Sequence, residues 1–255
     1  TTSRFTATFT DKEDPALAGT PANISQTADA GQCGAVVNYT APTSTDNCAV
    51  TSFTSTHDSG DTFVVGTTTV TYTAVDAAGN QTTSSFTVTV TDDEAPAIAG
   101  MPTNINLSND AGICGAVATW TDPTATDNCG VASFTGTHAS GATFAVGTTT
   151  VTYTALDIHG NTATSSITVT VTDDEDPSIT GTPANISLNN DAGNCTAVAS
   201  WTAPTAADNA AIASFPSDHN TRAPLPLGPT TVRIAAEDSP PTPPPPPSPQ
   251  HGTYH

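Results

Sequence analysis

The 255-residue sequence carries 24 Asp and Glu residues against 4 Lys and Arg, giving a formal net charge of −20. Such a charge repels nucleic acid and anionic lipid and attracts divalent cations, so nucleic-acid binding is excluded. No stretch approaches the roughly 18 consecutive apolar residues of a membrane-spanning helix, which excludes membrane insertion. The apolar residues are mostly Val, Ala, Ile and Phe interleaved with Thr, a composition typical of half-buried strands.

A repeat of 81 residues organises the chain. Cys33, Cys114 and Cys195 lie 81 residues apart, and prolines, phenylalanines, histidines and glycines recur at the same interval. A period of this length is too long for a solenoid unit and suits a small, separate β-domain. The sequence therefore predicts a linear array of domains, which are residues 13–93, 94–174 and 175–239.

The segment before the first domain, residues 1–12, aligns with the end of each repeat. Residues 4–15 match residues 85–96 and 166–177 in phase. We therefore expect an orphan last strand whose own domain is absent, able to pair with a sheet edge elsewhere. The predicted strand-donor residues are Arg4, Phe5, Thr6, Ala7, Thr8, Phe9, Thr10 and Asp11.

Within each domain the apolar residues alternate with threonine. In residues 68–75, Val70 and Ala74 fall on one face, and a second alternating run covers residues 86–91. The intervening residues 76–80 are rich in Asp, Gly and Asn, so the two runs predict a hairpin. Earlier runs bring the count to about seven short strands, which predicts an all-β chain of tandem immunoglobulin-like sandwiches.

Four motifs of this repeat carry a family resemblance: PANI, TDNC, a glycine-threonine run ending in GN, and FTVTVTDDE followed by a proline. Over nearly all of residues 13–239 the chain resembles the hyalin repeat (HYR) family, an extracellular immunoglobulin-like module. The resemblance implies an adhesive or structural role without enzymatic chemistry. Family members often carry two further cysteines where this chain has Thr20 and Ser84, so the resemblance implies that one disulfide is absent.

The cysteines leave two pairings open. Cys33 and Cys48 recur as Cys114 and Cys129, whereas Cys195 faces an alanine where a partner is expected. Bonding inside each repeat is the first expectation, with Cys195 unpaired. However, the two cysteines of a repeat would open successive antiparallel strands, which places them far apart for a bond. The alternative is pairing between neighbouring copies.

Acidic residues stand at the domain junctions and in the loops expected beside them. Because carboxylate oxygens converging at one point are what calcium requires, calcium is the predicted cation, against the alternative of solvated turn aspartates. The predicted ligands are Asp92, Asp93, Glu94, Asp127 and Asp157 at one junction, and Asp173, Asp174, Glu175, Asp208 and Asp238 at the next.

Six Asn-x-Ser/Thr sequons accompany the paired cysteines and the scarcity of lysine. Together these features predict a secreted or cell-surface glycoprotein. The predicted glycosylation sites are Asn23, Asn38, Asn80, Asn106, Asn185 and Asn194.

The third domain reaches its penultimate strand near residues 230–238 and then continues into proline, so we expect it to lack its last strand. Residues 240–255 form a proline-rich tail, predicted as polyproline II because proline cannot donate to a sheet. The tail resembles hydroxyproline-rich cell-wall glycoproteins, with an inert linker as the alternative.

These features favour a structural protomer of an extracellular filament or matrix. Each copy would donate its N-terminal strand to the incomplete third domain of a neighbour, giving a head-to-tail homopolymer. The alternative is a monomeric adhesion or spacer module, a fragment of a longer surface protein. No enzyme is predicted, because nucleophile motifs and phosphate-binding loops are absent from the sequence.

Overall fold

The structure is a computed structural model that describes residues 2–239, and strands are the only regular elements in this range. In the first repeat the strands are β1 (Ala16–Ala18), β2 (Ile24–Thr27), β3 (Gly34–Val36), β4 (Thr43–Thr45), β5 (Val50–Ser55), β6 (Thr62–Val64), β7 (Gly66–Asp76) and β8 (Gln81–Thr91). The second repeat contains β9 (Ala97–Ala99), β10 (Ile105–Ser108), β11 (Gly115–Val117), β12 (Thr124–Thr126), β13 (Val131–Gly136), β14 (Thr143–Ala145), β15 (Gly147–Asp157) and β16 (Thr162–Thr172). In the third repeat the strands are β17 (Ser178–Thr180), β18 (Thr196–Ser200), β19 (Thr205–Ala207), β20 (Ile212–Ser214), β21 (Arg222–Pro226) and β22 (Glu237–Asp238).

The predicted hairpin of residues 68–91 is confirmed as the antiparallel pair β7 and β8. Buried and half-buried residues alternate over residues 70–76 of β7 and 86–90 of β8, because successive side chains of a strand point to opposite faces. The turn contains Gly79 at a φ of 93°, a left-handed conformation that glycine adopts without a steric penalty. Local sequence chemistry therefore accounts for the longest element of the fold.

Each of the first two repeats is a sandwich built around this hairpin. In the first repeat one sheet has the order β2-β8-β7-β5, and the other strands pair as β1 with β4 and β3 with β6. Strand β8 therefore lies between β7 and β2, antiparallel to the former and parallel to the latter. The second repeat repeats this order as β10-β16-β15-β13.

The core of the first repeat lies between its two layers. Phe63 of β6 packs with Val70 of β7 and with Phe86 and Val88 of β8, all 3% exposed or less. Apolar burial of this kind is the main stabilising contribution to a small domain. Because β8 supplies three of the buried core side chains, its presence in the sheet decides whether the sandwich closes.

Two positions named from the family resemblance lie against each other. The Thr20 hydroxyl donates a hydrogen bond of 3.0 Å to the hydroxyl of Ser84. A polar contact thus joins the two positions at which family members often carry cysteines.

The third repeat is less regular than the first two within the described residues. Its strands pair as β17 with β19, β18 with β21 and β20 with β22. Residues 184–190 and 227–233, which correspond to β2 and to most of β7, contain no strand. Val232 is half-buried, whereas its counterpart Val70 is 0% exposed. The residues in phase with β8, 243–253, lie outside the described range, so this irregularity concerns only residues up to 239.

The N-terminal segment differs from its expectation. Residues 2–15 contain no strand, and Phe5 and Phe9 are each 93% exposed. An isolated extended segment has no partner for its backbone groups, and regular strand geometry depends on such pairing. Residues 4–11 therefore have the alternating pattern of a strand but form no strand in this chain.

Spatially, the chain divides into two compact units. One contains the first repeat together with Ala125–Phe134 and Thr154–Ala163, and the other contains the rest of the second repeat and the third. Over the described range the structure holds no helix of the length and apolarity needed to cross a membrane. The proline-rich tail lies outside the described residues, so its conformation stays a prediction.

Candidate functional site

Three aspartates that are far apart in the sequence meet at one point, and this happens at three places along the chain. In each group the carboxylate oxygens lie within 4.8 Å of one another. The groups are the first cluster (Asp11, Asp46 and Asp76), the second cluster (Asp92, Asp127 and Asp157) and the third cluster (Asp173, Asp208 and Asp238). Corresponding members are 81 residues apart, so the cluster is a property of the repeat.

The strands of the sandwich position the members of the second cluster. Asp92 is the first residue after β8, Asp127 is the first after β12, and Asp157 is the last residue of β15. The first two repeats share the lengths of the strands before these aspartates, so Asp46 and Asp76 take the places in the first repeat that Asp127 and Asp157 take in the second. The cluster is therefore assembled by the scaffold rather than by a continuous loop motif.

Asp157 is the most buried member, with 1% exposure. Its Oδ1 accepts hydrogen bonds from the backbone N–H groups of His159, Gly160 and Asn161 at 2.6 to 2.8 Å. Its Oδ2 accepts one from the Asn161 amide at 2.7 Å. Burial acts to raise the pKa of Asp157, but these hydrogen bonds outweigh it, and the pKa is lowered. Asp157 therefore stays ionised.

Five of the cluster aspartates each have one buried carboxylate oxygen without a hydrogen bond. Asp127 uses Oδ1 to accept the backbone N–H groups of Cys129 and Gly130 at 2.8 and 3.0 Å, while its Oδ2 is buried without a hydrogen bond. The neighbouring Asn128 likewise has a buried, unbonded Oδ1. The same holds for one carboxylate oxygen in each of four further cluster residues, Asp11, Asp46, Asp173 and Asp208.

Buried carboxylate oxygens without hydrogen bonds are costly, and crowding several carboxylates adds repulsion. The ion pairs of the described residues join carboxylates to histidine rather than to lysine or arginine. In the second cluster, Oδ2 of Asp92 lies 3.0 Å from Nδ1 of His159. A divalent cation bound by oxygen ligands would satisfy the free oxygens and offset the repulsion.

A disulfide lies directly beside the second cluster. Cys33 and Cys129 are bonded with a Cα–Cα distance of 4.7 Å and a sequence separation of 96. The neighbouring Asn128 side chain donates to the carbonyl of Gln32 at 2.9 Å and to Oδ1 of Asp92 at 3.4 Å. The bond therefore fixes the loop that carries Asp127 to the turn before β3. Since its sulfur is bonded, Cys129 provides no thiolate ligand, although it lies near Asp92 and His159.

The HYR domain model matches residues 10–90 and 91–171. The chain belongs to the HYR family. It is 35% identical over 243 residues to hyalin of Strongylocentrotus purpuratus, covering 92% of this chain and 20% of that protein. It is 37% identical over 242 residues to hyalin of Lytechinus variegatus, covering 92% and 46%. The chain thus spans between a fifth and just under half of these relatives.

HYR domains and hyalins are extracellular or cell-surface modules. This HYR chain is accordingly an extracellular protein. Among solved structures, four extracellular cadherin domains of protocadherin gamma B7 align with a TM-score of 0.30 and 16% identity, over 89% of this chain and 68% of that one.

The structure brings six of the ten predicted calcium ligands into the second and third clusters. Four others lie outside the clusters of the described residues. Glu94 accepts the backbone N–H of Gly31 at 2.8 Å, and Glu175 that of Gly112 at 2.7 Å. Asp174 accepts the hydroxyl of Ser108 at 2.7 Å. The fourth is Asp93, which belongs to no cluster. Position near a junction therefore did not distinguish the acidic residues that bond to other groups from those whose carboxylates lie in a cluster.

Sequence reasoning missed the first cluster. Asp11, Asp46 and Asp76 stand 81 residues before the members of the second cluster, so the repeat phase held the signal. Oδ1 of Asp11 accepts the backbone N–H of Glu13 at 3.1 Å, and a hydrogen bond with Cys48 also lowers the pKa of Asp11.

The disulfide corrects the expected pairing of Cys33 with Cys48 and of Cys114 with Cys129. The bond joins neighbouring repeats instead, because the two cysteines of one repeat lie at opposite ends of the domain. Cys48, Cys114 and Cys195 are exposed and unbonded.

The predicted glycosylation sites differ in exposure. Asn80 is half-buried, and its amide donates to Oδ2 of Asp76 at 2.7 Å and to the Asp11 carbonyl at 3.4 Å. The amide nitrogen that a glycan would modify is therefore part of the first cluster. The exposed sequon asparagines are Asn23, Asn38, Asn106, Asn185 and Asn194.

Proposed function

We propose that this HYR chain is an extracellular adhesion or spacer module in which calcium binds the three aspartate clusters. The observation that carries the proposal is that each of the three aspartate clusters contains at least one buried carboxylate oxygen without a hydrogen bond. Each cluster presents three aspartate carboxylates, and such oxygen ligands favour a hard cation over a transition metal.

In the second cluster the protein ligands would be carboxylate oxygens of Asp92, Asp127 and Asp157, with Oδ1 of Asn128 beside them. Calcium takes six to eight oxygen ligands, so water molecules or backbone carbonyls would complete its shell. A bound cation would link the end of β8 to β12 and β15. It would thereby stiffen the point at which one repeat follows another, as a spacer requires.

Calcium binding is testable by isothermal titration of protein stripped with EDTA. We expect three calcium ions per chain and a rise in Tm, since a ligand at about 100 times its Kd adds about 2.7 kcal/mol to the free energy of unfolding. Asp127→Asn should reduce the number of bound ions to two. Asp93→Asn, which removes a neighbouring charge outside the clusters, should still bind three.

The absence of both calcium heat and a Tm increase would refute the calcium proposal. An equal loss of binding in the Asp93→Asn and Asp127→Asn variants would also contradict it, because nonspecific attraction to a charge of −20 is then sufficient.

A second candidate function is the structural protomer joined head to tail by strand donation. The family comparisons favour the adhesion or spacer module, but two observations support self-association. Phe5 and Phe9 are 93% exposed on a segment with the pattern of β8, and in the third repeat residues 184–190 and 227–233, the counterparts of β2 and most of β7, form no strand.

Light scattering under reducing conditions tests strand donation without any contribution from thiols. The mass of the wild-type chain should rise with concentration, and Phe9→Asp should remain monomeric because a charge cannot enter the core. The matched variant Thr10→Asp should behave as wild type, since its counterpart Thr91 is exposed. A wild-type chain that stays monomeric up to high micromolar concentration would exclude this mode.

A further inference from the structure

The disulfide between Cys33 and Cys129 ends the loop that carries two buried oxygens of the second cluster. Asp127 accepts the backbone N–H of Cys129 on Oδ1 at 2.8 Å, and its Oδ2 is buried without a hydrogen bond. Oδ1 of Asn128 is likewise buried and unbonded. Cys129 therefore comes directly after the two residues whose free oxygens belong to this site.

The other half of the disulfide belongs to the turn before β3. The carbonyl of Gln32, the residue before Cys33, accepts a hydrogen bond of 2.9 Å from the Asn128 side chain. The same amide donates to Oδ1 of Asp92 at 3.4 Å, and the side chain of Asp92 is fully buried. One covalent bond and one hydrogen bond thus hold the loop of the second cluster against this turn.

The third cluster has matching contacts but no disulfide. Asp208 accepts the backbone N–H of Ala210 at 2.9 Å on one oxygen, and its other oxygen is buried and unbonded, as is Oδ1 of Asn209. Asn209 donates to the carbonyl of Ile113 at 3.2 Å. Ala210 stands at the repeat position of Cys129. The disulfide therefore distinguishes two loops that otherwise present the same pattern of oxygens.

Without a cation, charge repulsion favours separation of the members of the second cluster. Its three carboxylates each offer an oxygen within 4.8 Å of the others, and like charges at such distances repel. Asp157 is committed to its turn by four hydrogen bonds, whereas Asp127 lies on a loop outside the strands. Movement of Asp127 away from the cluster would relieve the repulsion and expose its unbonded oxygen to water. The disulfide opposes this movement, because Cys129 is two residues away and is bonded to Cys33.

We propose that the bond between Cys33 and Cys129 preorganises the second cluster for calcium, so that closing the bond strengthens calcium binding and bound calcium protects the bond from reduction. The proposal rests on the calcium function above and adds redox control to one of the three clusters. A preformed site binds more tightly because less ordering accompanies binding. Coupling between two sites is reciprocal, so the factor by which the bond strengthens calcium binding equals the factor by which calcium disfavours reduction.

The reductant in this scheme is a small dithiol. Cys33 is exposed and Cys129 is half-buried, so such a molecule reaches the bond. Its thiolate attacks one sulfur, the sulfur–sulfur bond breaks, and its second thiol then displaces the resulting mixed disulfide. The protein gains two protons and two electrons as two thiols, and the reductant becomes a cyclic disulfide.

A redox titration measures the coupling in the 255-residue chain. Asp46→Asn and Asp208→Asn first inactivate the other two clusters, which gives the parent protein. The parent is equilibrated with mixtures of reduced and oxidised dithiothreitol, in saturating calcium or in EDTA at equal ionic strength. After alkylation, the disulfide-linked peptides containing Cys33 and Cys129 are quantified by mass. We expect calcium to raise the ratio of reduced to oxidised reagent at half reduction about tenfold, or about 30 mV for this two-electron couple.

Two substitutions of aspartate provide the controls for this titration. Asp127→Asn removes the carboxylate through which the bond acts, so calcium should then leave the half-reduction ratio unchanged. Asp93→Asn should keep the full effect, because Asp93 belongs to no cluster. A disulfide with a structural role alone would give the same ratio in calcium and in EDTA.

Calorimetry measures the same coupling from the side of the cation. Replacing both Cys33 and Cys129 by alanine in the parent protein should raise the Kd for calcium about tenfold, a loss of about 1.4 kcal/mol. Cys195→Ala removes an exposed, unbonded thiol instead, and it should leave the Kd unchanged.

A gain of binding at the third cluster tests the proposal even if the alanine variant does not fold. Asp46→Asn and Asp127→Asn leave only the third cluster active. Ala210→Cys, oxidised so that it pairs with Cys114, should then lower the Kd of this cluster for calcium about tenfold. Reduction of the introduced bond should return the Kd to its starting value.

Equal Kd values for calcium with and without the bond would overturn the coupling and leave the calcium function standing. Equal half-reduction ratios in calcium and in EDTA, in protein that binds calcium, would do the same. Equal protection in the parent and in Asp127→Asn would also overturn it, because screening of the net charge of −20 then explains the effect. Failure of the oxidised wild-type chain to bind calcium would refute both proposals together.

Discussion

A single aspartate closes the main hairpin of each complete repeat. Asp76 and Asp157 end β7 and β15, and each accepts three backbone N–H groups and one asparagine amide. Their oxygens are thus committed to the turn, and they anchor the clusters that Asp127 and Asp46 complete with free oxygens. One residue type therefore serves local turn formation and the proposed cation site.

The lowered pKa of Asp157 predicts an acid-sensitive fold. Its pKa lies below the ordinary value of 3.8, so the ionised form contributes stability above that value, and the contribution is lost as pH falls through the folded pKa. In EDTA, Tm should therefore change little between about pH 7 and 5 and fall steeply below about pH 4. Asp157→Asn should lower Tm at pH 7 and weaken this dependence.

Calorimetry across this pH range measures the effect, with Asp93→Asn as the matched control. An Asp157→Asn variant with the wild-type Tm and pH profile would show that its hydrogen bonds are replaceable.

At the scale of elements, the loop after β12 is held by a disulfide, whereas the equivalent loop after β19 is not. Ala210 stands where Cys129 stands one repeat earlier, and Cys114 is left exposed and unbonded. The adjacent hydrogen bond from Asn209 to the carbonyl of Ile113 is preserved. The two loops therefore approach in the same way, with one sulfur missing.

Ala210→Cys should restore the bond by pairing with Cys114. This disulfide should raise the free energy of unfolding by about 2–4 kcal/mol. The gain should appear as a higher Tm, and formation of the bond should appear as a loss of two hydrogen atoms in the mass of the protein. Adding Cys114→Ser should abolish the gain. A crosslink from position 210 to any other cysteine would contradict the inter-repeat register.

At the scale of the whole molecule, the repeats differ in completeness. Strand β8 contributes Phe86, Val88 and Val90 to the first core, whereas the described part of the third repeat leaves Ile186 and Leu188 at 47% and 54% exposure. Regions with few buried contacts open at low free energy. Stability should therefore fall from the first repeat to the third.

Hydrogen exchange tests this gradient. Amides of residues 66–76 should exchange slowly, while those of residues 228–236 should exchange within seconds in dilute protein. At concentrations that permit strand donation, protection should appear in residues 228–236 of the wild type and remain absent in Phe9→Asp. Slow exchange there at every concentration would show that the third repeat is closed within its own chain.

The sequence by itself determined the all-β class, the 81-residue phase and the hairpin of β7 and β8, because alternation and turn chemistry are local. It also identified Asp92, Asp127 and Asp157, since strand ends recur in phase with the repeat. It did not distinguish them from Glu94, which bonds to Gly31. Which oxygen is capped and which is free depends on the three-dimensional path of the turn.

Only the tertiary structure decided the disulfide. Within the sequence the nearest partner of Cys33 is Cys48, yet the bond spans 96 residues to Cys129. The expected strand order indicated that Cys33 and Cys48 lie far apart, but it did not show which cysteine lies beside Cys33. A covalent bond requires Cα atoms within about 7 Å, and it is the meeting of one repeat's turn with the next repeat's loop that provides this distance.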